Sequence, residues 1–307
     1  MGARIYRHIC NCLSLFALLC FAACSGGTKE DLSQLTPNEQ LEALNAQVRH
    51  HPRQSEPLNL RGKLYTSMGR GKDAVVDLRK AVKLKGDVPE YYTALGDAYF
   101  SLGSVGESYQ SLRKALELDP DNTEAHLKMG EIAFYSGDYD RALESLSKVT
   151  AVDRNNRTAL YMKAFVYKEK GDTANAVQLF RKVIDFYPDY APAYEEIGML
   201  YADQCNPLGV DYLTTAIQLD STNVNARYGL ALLYQDLEEA LKAEAMYRSI
   251  LAIDPRNTNV LHNLGYMEMI YFEDYEQAVM YFDSVLAIDP SYEAAAHNRS
   301  LALSLKK

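Results

Sequence analysis

Apolar residues recur three and four positions apart along the chain from Thr36 onward, broken by short polar turns. That spacing puts the apolar side chains on one face of a helix, so the chain reads as a succession of amphipathic helices. A longer beat runs on top of it. Small residues that follow an apolar one stand at Gly62, Gly96, Gly130, Ala164, Gly198, Ala231, Gly265 and Ser300, at intervals of 34, 34, 34, 34, 33, 34 and 35. A fixed period of this length marks a stack of repeated supersecondary units.

Each unit fills the same places in the same order. An aromatic follows three residues after most of the small positions, at Tyr65, Tyr99, Tyr167, Tyr201 and Tyr234. Twelve residues after most of them stands another small residue, as at Ala74, Ser108, Ala142, Ala176 and Ala243, with a bulky one four later, as at Leu78, Leu112, Leu146, Phe180 and Tyr247. Pro120, Pro188, Pro255 and Pro290 close units, since proline cannot continue a helix. Gly137 and Gly171 supply the left-handed cap that ends a first helix. One helical hairpin cannot bury its apolar face alone, so stacked neighbours share a continuous core.

These residues, from about Ser55 to Tyr292, resemble the tetratricopeptide repeat. The resemblance implies an all-α fold, a right-handed superhelix (α-solenoid) of about seven helical hairpins at 55–88, 89–122, 123–156, 157–190, 191–223, 224–257 and 258–292. Thr36 to His51 reads as a lone helix closing one end, with Thr36 as N-cap and Pro37 in the first turn. The stretch from Tyr292 to Lys307 reads as a C-terminal capping helix. Two units depart from the pattern. One residue is missing between Tyr201 and Ala216, where Asn206-Pro207 occupies the turn, and one is extra between Gly265 and Val285.

The first residues follow a different rule. Arg4 and Arg7 precede a mostly apolar run from Ile9 to Ala23, too short to span a bilayer and shaped like a secretory leader. Its end, Phe21-Ala22-Ala23-Cys24, resembles the lipobox of bacterial lipoproteins, with Phe21 where leucine is usual. That resemblance implies cleavage after residue 23, a lipid on Cys24, a tether over 24–35 and a solenoid over 36–307. It also implies an outer-membrane address, since Ser25 replaces the aspartate that retains some lipoproteins in the inner membrane. Either the periplasmic face or the cell surface remains open.

Charge narrows the partners. The 307 residues carry −9, and −11 without the first 23, which hold two arginines and no acid. A body this acidic disfavours nucleic acid, whose phosphates need Lys and Arg. Of five cysteines only Cys24 and Cys205 lie beyond the leader, so no disulfide framework is expected. No His-Glu-x-x-His motif, phosphate loop or Gly-x-Ser-x-Gly elbow is present. His262 and His297 hold equivalent places in successive units, about 10 Å apart or more, too far to share a metal. No cofactor, metal or enzymatic activity is therefore expected.

In the tetratricopeptide family ligands lie on the concave face, lined by the first helix of each unit. Carried onto this sequence, that face is mostly polar in the first two units and aromatic further on. The expected partner-binding groove comprises Phe134, Tyr135, Tyr161, Phe165, Met199, Tyr228, Leu232 and Tyr266. Aromatic rings and methionine dominate binding hot spots because they contribute large contact area. The favoured expectation is an interaction scaffold holding one or more envelope proteins, touching membrane only through its lipid. The alternative is a glycan-binding lipoprotein using the same aromatic rings, although tryptophan, a common sugar platform, is absent. Asp172-Thr173-Ala174, Asp220-Ser221-Thr222 and Asp283-Ser284-Val285 also resemble a short bacterial O-glycosylation motif.

Overall fold

The three-and-four spacing becomes helix throughout the computed structural model, which describes residues 32–306. The leader, Cys24 and most of the tether therefore lie outside the described residues. Among those described are sixteen α-helices, one short 3-10 turn and no strand.

The chain divides into two units, at Arg154 and Asn155. The first contains α1 (Pro37–His50), α2 (Ser55–Ser67), α3 (Gly71–Leu84), α4 (Pro89–Ser101), α5 (Val105–Leu118), α6 (Thr123–Tyr135) and α7 (Tyr139–Val152). The second contains α8 (Arg157–Glu169), α9 (Thr173–Phe186), α10 (Ala191–Ala202), α11 (Leu208–Leu219), α12 (Val224–Asp236), α13 (Ala240–Leu251), α14 (Thr258–Ile270), α15 (Tyr275–Ile288) and α16 (Glu293–Leu305). Seven hairpins result, three in the first unit after α1 and four in the second before α16.

Local chemistry starts and stops the helices where the pattern predicts. Thr36 caps α1 in a reciprocal box: its hydroxyl accepts from the Glu39 amide, and the Glu39 carboxylate accepts from the Thr36 amide at 2.8 Å. Asn122, Asn156, Asn223 and Asn257 each accept an amide three residues on and open a first helix. Asp138, Asp172 and Asp274 do the same for second helices.

Within each hairpin the small residue lies against the bulky one. A β-carbon on Gly130 would stand 2.8 Å from Leu146 Cγ, and one on Gly96 would stand 2.7 Å from Leu112 Cγ. Successive hairpins then share the core. Tyr247 and Ile250 of α13 pack with Val260, Leu264 and Met267 of α14, all removed from solvent. In the first unit α1 is held partly by charge. Arg61 of α2 donates to both oxygens of Asp77 on α3, at 2.6 and 2.8 Å, and to Asn45 of α1 at 2.8 Å. Hydrogen bonding to Asp77 raises the already high pKa of that guanidinium.

The shortened fifth hairpin loses length from its helices, α10 and α11 of twelve residues each, while its turn through Cys205 lengthens, and the insertion lengthens the turn after α14. The first-helix exits show a further difference. Gly69, Gly103, Gly137 and Gly171 hold φ of 72 to 76°, but Cys205, Glu238 and Glu273 hold φ of 50, 60 and 53°. Side chains at such angles meet the neighbouring carbonyl and are strained.

Two outcomes are expected from urea unfolding. Glu238→Gly should raise stability by about 0.5–1 kcal/mol, because glycine relieves the left-handed strain at a smaller entropic cost. Gly130→Val should lower it by about 2 kcal/mol, since Leu146 cannot withdraw from a packed core.

Candidate protein-binding face

Within each unit, second helices pack between the first helices of their own and the next hairpin, and first helices also touch one another in a row. In the first unit α2 touches α4 and α4 touches α6. In the second, α10 touches α12 and α14 touches α16. Polar contacts tie the second row further: Asn263 of α14 donates to the Tyr228 hydroxyl of α12 at 3.1 Å.

The first unit lines its row with charge. Lys63, Asp97 and Glu131 occupy the same helical position in α2, α4 and α6. Lys128 bridges the last two, 2.6 Å from Asp97 and 3.3 Å from Glu131. Burial alone would lower the Lys128 pKa, but the two carboxylates outweigh it and raise it. Burial raises the Glu131 pKa despite that ammonium. Lys63 approaches Glu124 of α6 at 3.9 Å. These charges mostly satisfy one another.

The expected groove residues divide by accessibility. Phe134, Tyr161 and Phe165 are only 8, 7 and 8% exposed. Tyr161 meets Phe165, Phe180 and Tyr190 edge-on at 5.0, 5.4 and 5.3 Å, and Phe165 meets Phe180 at 5.6 Å. Phe134 packs between Tyr135 and Tyr139. These three rings fasten helices together and present little area to a partner, because bulky second-helix neighbours draw them inward. Met199 is half-buried over Gly229, where a β-carbon would stand 2.3 Å from its sulfur. Tyr228 is half-buried in a network in which Asn263 donates to the Tyr228 and Tyr247 hydroxyls and Tyr247 donates to Gln235. Burial raises the Tyr247 pKa. Tyr135 is half-exposed, and Leu232 and Tyr266 are 38 and 40% exposed.

Exposed apolar residues that the groove assignment omitted lie beside these. Ile270 follows Tyr266 by one helical turn, and Leu301 and Leu305 repeat the pair on α16. Stepping the repeat from Leu232 to Tyr266 and on to Leu301 finds them; treating α16 as a mere closing helix hides them. His262, on the same row, stacks on Tyr292 at 5.3 Å and lies 5.7 Å from Phe282. Its Nε2 accepts from the Asn298 amide of α16 at 3.1 Å. Among the described residues, no group of three or more His, Cys, Asp or Glu could hold a metal.

Known proteins match this geometry and its sequence. Residues 62–103 and 224–257 match tetratricopeptide repeat profiles, and residues 90–194 match the TPR domain of cytochrome c-type biogenesis protein H. This chain is a tetratricopeptide repeat protein. It is 37% identical over 94 residues to the protein O-mannosyl-transferase Tmtc3 of Drosophila melanogaster, covering 29% of this chain and 10% of that one. It is 33% identical over 89 residues to the type IV pilus assembly protein PilF of Pseudomonas aeruginosa, covering 28% and 35%. The alignments thus span well under two thirds of these relatives.

Solved structures share the fold. YrrB, described as a TPR protein with an unusual peptide-binding site, superposes with a TM-score of 0.53 at 21% identity, covering 62% of this chain and 97% of YrrB. Yeast Tom70 gives 0.59 at 15% identity, covering 99% and 73%. A tetratricopeptide repeat protein from Parabacteroides merdae gives 0.56 at 18% identity, covering 81% and 98%. At these identities the likeness concerns fold alone. A repeat of this kind is a protein-interaction scaffold.

The buried rings and the histidine each give a test. Phe165→Ala should destabilise the protein by about 3 kcal/mol, measured by urea denaturation, as a cavity opens beside Phe180. Burial lowers the His262 pKa below the ordinary value of 6.5. A histidine held neutral in the fold contributes stability above its unfolded pKa, and that contribution is lost as the pH falls below it towards the folded pKa. Unfolding free energy should therefore decline as pH drops below 6.5, and His262→Gln should flatten the decline.

Proposed function

We propose that this protein is a lipid-anchored scaffold of the bacterial envelope, tethered to the outer membrane through Cys24. It holds a segment of a partner protein against the first helices of its repeats. The observation that carries the reading is the accessible apolar pair Leu232 and Tyr266 on the row of first helices. A scaffold needs such a face, and exposed rings and leucines lose solvent-accessible area when a partner covers them. The lipobox-like Phe21-Ala22-Ala23-Cys24 supports the anchor. The likeness to a pilus assembly protein supports an envelope role.

The test uses the full-length chain with a C-terminal tag, expressed in its source bacterium. Cys24→Ser should move the protein from the membrane fraction to the soluble fraction. Cross-linking in envelope extracts should enrich a defined partner, and Leu232→Ser with Tyr266→Ser should abolish capture while leaving the circular dichroism unchanged. A Cys24→Ser protein that stays membrane-bound removes the anchor. Capture that survives the double substitution removes the face. Binding to a glycan array with no enriched protein replaces the scaffold with a sugar-binding role.

A further inference from the structure

The second unit repeats an apolar choice on its row of first helices. Leu232, Tyr266 and Leu301 hold one helical position in α12, α14 and α16, and Ile270 and Leu305 stand one turn further along α14 and α16. Ile270, Leu301 and Leu305 are 49, 40 and 44% exposed. The helices are neighbours, since Asn263 links α14 to α12 and His262 meets Asn298 of α16. Five large, accessible apolar side chains thus stand along one row of neighbouring helices, as a patch a partner could cover.

Acidic residues outnumber basic ones at both edges of that patch, where Arg256 and Lys306 are the cations. The turns entering these three helices contain Asp220, Asp254 and Asp289, and Asp236, Glu238 and Glu273 lie where α12 and α14 end. Residues 191–307 hold seventeen Asp and Glu against seven Lys and Arg, a balance of −10. Five of those seven cations are already engaged locally. Lys242 pairs with Glu239, Arg248 with Glu244 at 2.6 Å, Arg299 with Asp283 and Lys306 with Glu276 at 3.6 Å, and Arg227 donates to Ser249 and to the Ser221 carbonyl. The remaining excess of carboxylates gives the stretch a negative field that attracts cationic segments and repels acidic ones.

We infer that the patch docks a cationic amphipathic helix of a partner polypeptide, its apolar stripe on Leu232, Tyr266, Ile270, Leu301 and Leu305 and its Lys and Arg side chains over the two acidic edges. This rests on the reading of the first-helix face as a polypeptide-binding surface and names the chemistry of what binds. The spacing fits. Packed helices lie about 8–10 Å apart, and residues seven apart on a helix are separated by about 10.5 Å. A partner helix crossing the row thus sets one apolar residue per heptad on each first helix, with neighbours at three or four to fill Ile270 and Leu305.

The experiment titrates full-length protein into two fluorescein-labelled helical peptides with the same heptad leucines, one with lysine at the remaining charged positions and the other with glutamate. The lysine peptide should bind saturably, and raising NaCl from about 50 to about 300 mM should weaken it about fivefold. Tyr266→Ser with Leu301→Ser should weaken it about tenfold with unchanged circular dichroism. Leu232→Ser with Leu305→Ser serves the same purpose should the first pair misfold. Equal binding of the glutamate peptide, unaltered binding by the folded variants, or no saturable binding of either peptide overturns the inference. Envelope capture runs beside it with the same variants. A partner that is captured and then lost with the patch, while the lysine peptide does not bind, leaves the scaffold standing and removes only the cationic assignment. Loss of both removes both.

Discussion

The approach of one small residue to one bulky side chain sets everything else in this fold. Gly62 against Leu78, Gly96 against Leu112, Gly130 against Leu146, Gly198 against Leu213 and Gly265 against Phe282 leave less than 3 Å for an added β-carbon. Where the small residue is alanine, at 164 and 231, the partner position holds an aromatic ring, Phe180 or Tyr247. Side chains larger than a methyl cannot enter without displacing the second helix, so the contact fixes hairpin geometry independently of surface composition. Each hairpin then finds its remaining burial against the next, and stability becomes a sum over neighbours.

That economy leaves the row of first helices free to vary. At one helical position the chain runs Lys63, Asp97, Glu131, Phe165, Met199, Leu232, Tyr266 and Leu301. The charged members belong to the first unit, where Lys128 bridges the two carboxylates, Asp97 and Glu131. The apolar members belong to the second. There Phe165 turns inward onto Phe180 and Met199 settles over Gly229, so accessibility begins at Leu232.

The repeat, its seven hairpins and its terminal helices were legible in the sequence because each depends on local spacing: the recurring Gly or Ala, the cap at Thr36, the prolines after second helices. The candidate face was legible only in part. Whether Tyr161 faces out or folds under depends on Phe180 and Tyr190, nineteen and twenty-nine residues away, and a helical wheel contains no information about them. Leu232 and Tyr266, by contrast, keep 38 and 40% of their surface exposed, as a helical wheel of the first helices suggests. Leu301 and Leu305 escaped notice because a terminal helix is ordinarily polar outside, an expectation that α16 does not follow.

A stack with only nearest-neighbour contacts also has a mechanical character. Within the second unit a pull between α8 and α16 passes through each hairpin interface in turn, and no long-range tie shares the load. The interface with least burial yields first while the others hold. α16 buries only alanines, Ala295 and Ala302, among its fully covered residues, whereas α14 buries Val260, Leu264 and Met267. Under tension the terminal helix peels before the hairpins separate, giving the unit a compliant end and a stiff middle.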